Sequence, residues 1–408
     1  MNSGVRNYIL VTAAYWGFTL TDGALRMLVL LHFYGLGYSP FQIAQLFLFY
    51  EVFGIVTNLV GGWIGARLGL KVTLFAGLGL QVVALAALSR FNSDWPIVMG
   101  VAYVMGSQAL SGIAKDLTKL SAKSAIKVLV TDGNHGALFK WVAALTGSKN
   151  ALKGLGFFLG GFLLGWLGFS VALITMAACL GAILLAAVVS LPGNIGQTKA
   201  KVRFGDVFSK SAKINWLSGA RFFLFGARDI WFVVGLPLFL AGSLGWDHPQ
   251  VGAYMALWVI AYGLVQAATP KLLRQSGAAP TGGQSRRWLL GLILVTSGIA
   301  LMLWANIAPG LSVLVGMLVF GFVFAVNSAI HSYLILAYSK SEHTSMDVGF
   351  YYMANAGGRL AGTLLSGLAY QWGGLVVCLG LSATFLCAAW LFSLPLPKQP
   401  DPAAKTVP

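Results

Sequence analysis

The chain has 408 residues, of which 58% are hydrophobic and only 9% charged, and its mean hydropathy is +0.79. Soluble domains do not reach that balance, so an ordinary soluble enzyme is excluded and a bilayer protein is predicted. A formal charge of +16, from 27 Lys and Arg against 11 Asp and Glu, raises nucleic acid as a partner, but the placement of those cations argues against it.

Apolar runs long enough to cross the ~30 Å hydrocarbon core as helices recur along the whole chain. In the first half they are 8–34, 41–66, 72–89, 95–118, 138–166 and 170–191. In the second they are 216–242, 249–272, 288–306, 310–338, 348–371 and 375–395. The fold class expected is an all-α polytopic membrane protein with twelve transmembrane helices in two six-helix pseudo-repeats. The first run exceeds the apolar core of a signal peptide and reads as a retained helix. Small residues such as Gly156 and Gly160 suit close packing of membrane helices. The expected divisions are an N-terminal six-helix half (1–191), a cytoplasmic linker (192–215), a C-terminal six-helix half (216–395) and a cytoplasmic tail (396–408).

The two halves echo one another. Lys153 is followed by Gly156, Leu159, Gly161, Trp166 and Gly168, and Arg359 by Gly362, Leu365, Gly367, Trp372 and Gly374 at the same spacings. After the first span comes Leu36-Gly37-Tyr38-Ser39-Pro40-Phe41-Gln42, and after the seventh Leu244-Gly245-Trp246-Asp247-His248-Pro249-Gln250. Gly37 and Gly245 suit turns, and Ser39 and Asp247 suit N-caps. One duplication accounts for both echoes. Parallel six-span repeats are the architecture of the major facilitator superfamily. The stretch Gly62-Trp63-Ile64-Gly65-Ala66-Arg67-Leu68-Gly69-Leu70-Lys71 resembles its loop between spans two and three, with Ala66 in place of the usual aspartate and Leu70 in place of a basic residue.

Of the 27 Lys and Arg, six (Arg26, Lys149, Lys153, Arg221, Arg228, Arg359) lie within apolar runs. Arg90 lies on one set of alternate loops, and the other twenty lie on the opposite set and at the chain ends. The positive-inside bias therefore predicts that both termini are cytoplasmic. Intramembrane cations are costly and normally face a watery cavity or a partner. Lys153 and Arg359, at matching places in two repeats, suggest an anion held between the halves of a transporter, with helix-bridging as the alternative.

More narrowly, the chain resembles the organoarsenical-efflux (ArsJ-type) permeases of that superfamily. The resemblance rests on Thr19-Leu20-Thr21-Asp22-Gly23-Ala24-Leu25-Arg26, Phe49-Tyr50-Glu51-Val52-Phe53-Gly54, Ser111-Gly112-Ile113-Ala114-Lys115-Asp116-Leu117, Ser121-Ala122-Lys123-Ser124-Ala125-Ile126-Lys127 and Gly147-Ser148-Lys149-Asn150-Ala151-Leu152-Lys153-Gly154. It implies export of 1-arseno-3-phosphoglycerate from a bacterial cell across the inner membrane. Its functional partner would be glyceraldehyde-3-phosphate dehydrogenase, which forms that ester from arsenate, and the outcome would be arsenate resistance. Another organophosphate or organic anion, carried with or without proton or phosphate coupling, is the alternative. The superfamily's cavity-lining spans one, five, seven and eleven here carry Arg26, Lys149, Lys153, Arg228 and Arg359. Such cations suit oxyanions, Arg bidentately.

The substrate-binding candidates are Arg26, Lys149, Asn150, Lys153, Arg228, Asn327, Asn355 and Arg359. Lys149 and Lys153 share a helical face, and their mutual repulsion would be relieved by an anion. Asn355 stands where Lys149 stands in the other repeat. Asp22 and Arg26 are four apart in the order that favours an ion pair, which rivals a substrate role for Arg26. Arg228 and Asp229 point about 100° apart, so Arg228 is read toward the cavity and Asp229 toward another cation. Arg221, near a span end, is expected to snorkel to the interface. Asn327, Ser328 and His331 form a polar stripe, with helix-packing glue as the bland alternative. Asp22, Glu51, Asp229 and His331 are candidates for coupling or ion pairing, although voltage-driven efflux needs no proton. Lys115, Lys119 and Lys123, continued by Lys127, are read either as a solvated face or as a cytoplasmic mouth that gathers anions. Cys179, Cys378 and Cys387 read as small buried residues, and neither a metal nor a cofactor is expected. No HExxH or GxSxG motif points to an enzyme.

Overall fold

A computed structural model describes residues 3–129, 135–191, 211–274, 280–339 and 344–397; within these, the side chains at 3–5, 59–70, 120, 123–147, 270, 274, 336 and 344–346 are outside the description. Most of the expected linker and tail, and the side chains of Lys123 and Lys127, therefore lie outside the described residues.

Among the described residues the chain is helical, with no strand. The helices are α1 (Ser3–Gly35), α2 (Pro40–Leu46), α3 (Leu48–Leu88), α4 (Ile97–Leu129), α5 (His135–Leu167), α6 (Phe169–Ser190), α7 (Ala212–Phe232), α8 (Gly235–Leu238), α9 (His248–Arg274), α10 (Gly282–Trp304), α11 (Pro309–Tyr338) and α12 (Thr344–Phe392). Among the described residues, ten helical stretches are long and apolar enough to cross a membrane. One of them, Asp347–Phe392, is broken at Gly373 and Gly374, the latter at φ 65°, so it holds two of the expected spans. α1 is not in the set, because Asp22 and Arg26 dilute its apolar character. One boundary differs from expectation. Residues Gly62–Lys71 continue the α3 helix instead of forming a loop; Leu48–Leu88 contains no proline to end it.

Two compact units are distinguished, one of residues 1–38, 45–202 and 245–260, the other of 39–44, 203–244 and 261–408. In the first, α5 lies against α1 so closely that a Cβ on Gly156 would fall 2.5 Å from the Leu20 carbonyl oxygen, and one on Gly160 would collide with the Ala24 carbonyl. Gly161 meets the His248 carbonyl at the start of α9. In the second unit, α12 meets α7 in the same manner: a Cβ on Gly362 would lie 2.6 Å from the Gly226 carbonyl oxygen. Gly367 meets Pro40, the first residue of α2, where a Cβ would lie 2.5 Å from the carbonyl oxygen. Of the glycines of the sequence echo, Gly156 and Gly161 and their counterparts Gly362 and Gly367 are thus contact points of the same packing in each unit, whereas Gly168 and Gly374 sit at positive φ with nothing within 4 Å of an added Cβ.

The second echo supplies matching helix starts. Ser39 N–H donates to Gln42 Oε1 at 2.8 Å, and Gln42 N–H donates to Ser39 Oγ at 3.3 Å. Asp247 N–H donates to Gln250 Oε1 at 3.0 Å, and Gln250 N–H to Asp247 Oδ1 at 2.8 Å. Each is a reciprocal capping box, preceded by a glycine at positive φ, Gly37 at 82° and Gly245 at 68°. The break after α7 has its own cause. Pro237 cannot donate a backbone N–H and its ring disturbs the preceding turn; the Val234 and Gly235 N–H groups donate instead to Ser366 Oγ at 3.1 and 3.2 Å.

The α1–α5 contact leaves no room for a larger residue. Gly160→Leu is expected to cost about 2 kcal/mol or more through overpacking, whereas Gly106→Leu, where nothing lies within 4 Å of an added Cβ, keeps near-native stability. Unfolding of the purified proteins in detergent micelles checks both.

Candidate functional site

In the first unit, α1, α3 and α4 place a set of charges inside apolar helices. Arg26 is 7% exposed and Glu51 1%, and the Arg26 Nη2 donates to Glu51 Oε1 at 2.8 Å. The guanidinium also lies 5.2 Å from the ring centroids of both Phe47 and Tyr50. The partner of Arg26 is therefore Glu51 on α3. Asp22 instead accepts the Tyr50 hydroxyl at 2.6 Å, which corrects the ion pair expected along α1.

Asp116 on α4 is a residue the sequence reading passed over, although its spacing from Lys119 was a signal for it. Its Oδ1 accepts from Lys119 Nζ at 2.6 Å and its Oδ2 from Thr57 at 2.7 Å; Lys119 also donates to Asn58 at 2.8 Å. Lys115 Nζ sits 4.1 Å from the Tyr50 ring centroid. These two lysines are engaged with α3 and partly buried, so they do not form a freely solvated face. On α5, Lys149, Asn150 and Lys153 are half-buried, with Lys153 Nζ 5.8 Å from the Phe157 ring centroid.

In the second unit, Asp229 on α7 gathers two arginines. Arg359 on α12 donates from Nε to Asp229 Oδ2 at 3.2 Å, as expected for a second cation. Arg228 also reaches it, from Nε to Oδ1 at 2.6 Å and from Nη2. The 100° separation of neighbouring Cβ atoms did not keep them apart, because the long arginine side chain folds back over Phe225, 4.9 Å from that ring centroid.

Arg221 does not snorkel. It is 5% exposed and donates from Nε to Asn355 Oδ1 at 2.9 Å and from Nη1 to Ser328 Oγ at 3.2 Å. Asn355 is thereby engaged by an arginine of its own unit. Asn327 and His331 are fully buried around one serine: Ser285 Oγ donates to Asn327 Oδ1 at 2.8 Å and lies 2.9 Å from His331 Nε2. That serine, on α10, carried no sequence signal. Of the cysteines, Cys378 is buried, while Cys179 and Cys387 are exposed, against expectation.

These features belong to a transporter fold. The Major Facilitator Superfamily model matches residues 8–363 and 217–407, so the chain belongs to that superfamily and is a multi-pass membrane transporter. No curated protein matches it.

Breaking the Arg26–Glu51 pair is expected to be costly, since it leaves one charge buried alone. Glu51→Leu should destabilise the protein by about 3 kcal/mol, and Arg26→Leu/Glu51→Leu should recover most of that loss. Denaturant unfolding of both variants in the same detergent tests the pairing.

Proposed function

We propose that this transporter exports an organic anion and, within that class, 1-arseno-3-phosphoglycerate, by alternating access in a bacterial inner membrane with both chain termini cytoplasmic. The observation that carries the anion reading is the meeting of two partly buried arginines, Arg228 and Arg359, on the single buried carboxylate of Asp229. A cationic cargo would call for the opposite balance, and Arg offers oxyanions a bidentate fork. Lys149 and Lys153, one turn apart on α5, supply the corresponding cations in the first unit. The proposed cargo ligands are therefore Lys149, Asn150, Lys153, Arg228 and Arg359. Arg26, joined to Glu51, is assigned to holding α1 on α3. The arsenical cargo, the resistance it confers and the partnership with glyceraldehyde-3-phosphate dehydrogenase rest on the resemblance of the first half to organoarsenical permeases; these cations would serve another organophosphate equally well.

Efflux of an anion from an inside-negative cell gains about 2.3 kcal/mol per charge per 100 mV. The proposed transport is therefore facilitated and needs no coupled proton, and Glu51, already joined to Arg26, is not required as a proton carrier.

Arsenic retention in a sensitive bacterial strain given arsenate tests the cargo. Expression of the chain together with the dehydrogenase should lower cellular arsenic, and a Lys153→Ala/Arg359→Ala variant should abolish the loss. If the wild-type chain is inserted and retention does not change, the arsenical reading falls.

A further inference from the structure

Arg221 is a buried arginine with no acid for a partner. No carboxylate lies within ion-pair distance of it among the described residues. Its hydrogen-bond partners, Asn355 Oδ1, Ser328 Oγ and, at 3.4 Å, the Ser328 carbonyl, are all neutral. Its guanidinium lies 3.7 Å from the ring centroid of Phe225 and 5.1 Å from that of Tyr351. The contrast with its neighbours in the unit is sharp, because Arg228 and Arg359 both have Asp229. A full charge buried among neutral dipoles and aromatic faces is under-compensated, and removing it from water costs several kcal/mol.

The surrounding polar groups add donors. Ser328 Oγ receives Arg221 Nη1 at 3.2 Å, the Tyr262 hydroxyl at 3.3 Å and Gln266 Nε2 at 3.4 Å. A hydroxyl oxygen has two acceptor sites; the Arg221 contact is at the long end of the usual range, about 3.2 Å for N–H donors, and the Tyr262 and Gln266 contacts lie beyond the usual limits of about 3.0 Å for O–H and about 3.2 Å for N–H donors. Three donors thus crowd one weak acceptor beside a guanidinium without a counter-charge. Asn355 and Ser328 also fix the plane of that guanidinium through Nε and Nη1. Among the described residues Nη2 makes no hydrogen bond, and Nη1 is held by Ser328 only through long contacts of 3.2 and 3.4 Å, so a ligand that takes Nη2 and draws one Nη1 N–H away from Ser328 is gripped in the forked manner of arginine–oxyanion pairs.

The geometry points to a binding site for one oxyanion group of the transported molecule, a phosphoryl or a carboxylate group, formed by Arg221 with Ser328, Asn355, Tyr262 and Gln266. The bound group supplies the missing negative charge and accepts the crowded donors. This assignment rests on the anion-transport reading and adds to it a residue outside the Asp229 cluster.

The test is calorimetric titration of the purified full chain in detergent with 3-phosphoglycerate, inorganic phosphate and acetate, alongside thermal unfolding without ligand. Wild type should bind 3-phosphoglycerate, and Arg221→Gln should weaken that binding at least tenfold. Arg221→Lys, which keeps the charge but loses the fork, should fall in between. Unliganded Arg221→Gln should melt at or above the wild-type temperature, because it removes an uncompensated charge. Wild-type binding of phosphate that is lost in the variant assigns the site to a phosphoryl group; acetate behaving so assigns it to a carboxylate. Unchanged 3-phosphoglycerate affinity in Arg221→Gln overturns the site, whatever its melting temperature, while leaving the anion-transport reading standing. If Arg221→Gln does not fold, Arg221→Lys decides: at least threefold weaker binding supports the site, and wild-type affinity overturns it. Failure of the wild type to bind any of the three anions overturns both the site and the transport reading.

Discussion

A charge inside an apolar helix has to be answered, and much of the polar architecture of this protein follows from that requirement. Arg26 is answered by Glu51, Lys119 by Asp116, and Arg228 and Arg359 by Asp229. Each pair joins helices or folds back on one, so the same contacts that neutralise charge also fix how spans pack. Asp22 is satisfied differently, by the Tyr50 hydroxyl, which leaves Glu51 for Arg26. Where the answer is incomplete, as at Arg221, the protein holds a positive centre inside a span at a standing energetic cost. In a transporter that is where a counter-charged cargo group gains most from binding.

Close backbone contact is the second constraint. Without a strong hydrophobic drive between helices inside lipid, packing depends on small residues that let backbones approach. Gly160 against Ala24 and Gly362 against Gly226 meet that need in the two units, at the helices that also carry Lys153 and Arg359. The cations therefore sit on helices held by backbone-to-backbone contact, which is a rigid mounting for their side chains. Matching capping boxes at Ser39 and Asp247 fix where α2 and α9 begin.

Much of the fold was legible in the sequence because its signals are local. Apolar length marked the spans, Ser39 and Asp247 marked two helix starts, and Gly374, at positive φ, falls between two expected spans. What was not legible depends on neighbours in space. Spacing along α1 proposed Asp22 for Arg26, since a sequence displays i,i+4 relations within one helix but not the approach of Glu51 from another. Position near a span end proposed that Arg221 reaches water, yet Asn355 and Ser328 from α12 and α11 hold it inside. Adjacency in sequence separated Arg228 from Asp229, and a flexible side chain brought them together. The glycine-rich stretch at Gly62–Lys71 suggested a loop, but with no proline present the helix continues.

Carriage of an anion without a coupled proton moves net negative charge across the membrane, and current from proteoliposomes on a solid-supported membrane, after a jump in external 3-phosphoglycerate, reads that movement. The expected result is a transient current with the sign of inward anion movement, saturating with concentration and absent from protein-free vesicles. A properly inserted protein that gives no current with this anion, but does give one with organic cations, would rule out the proposed anion transport.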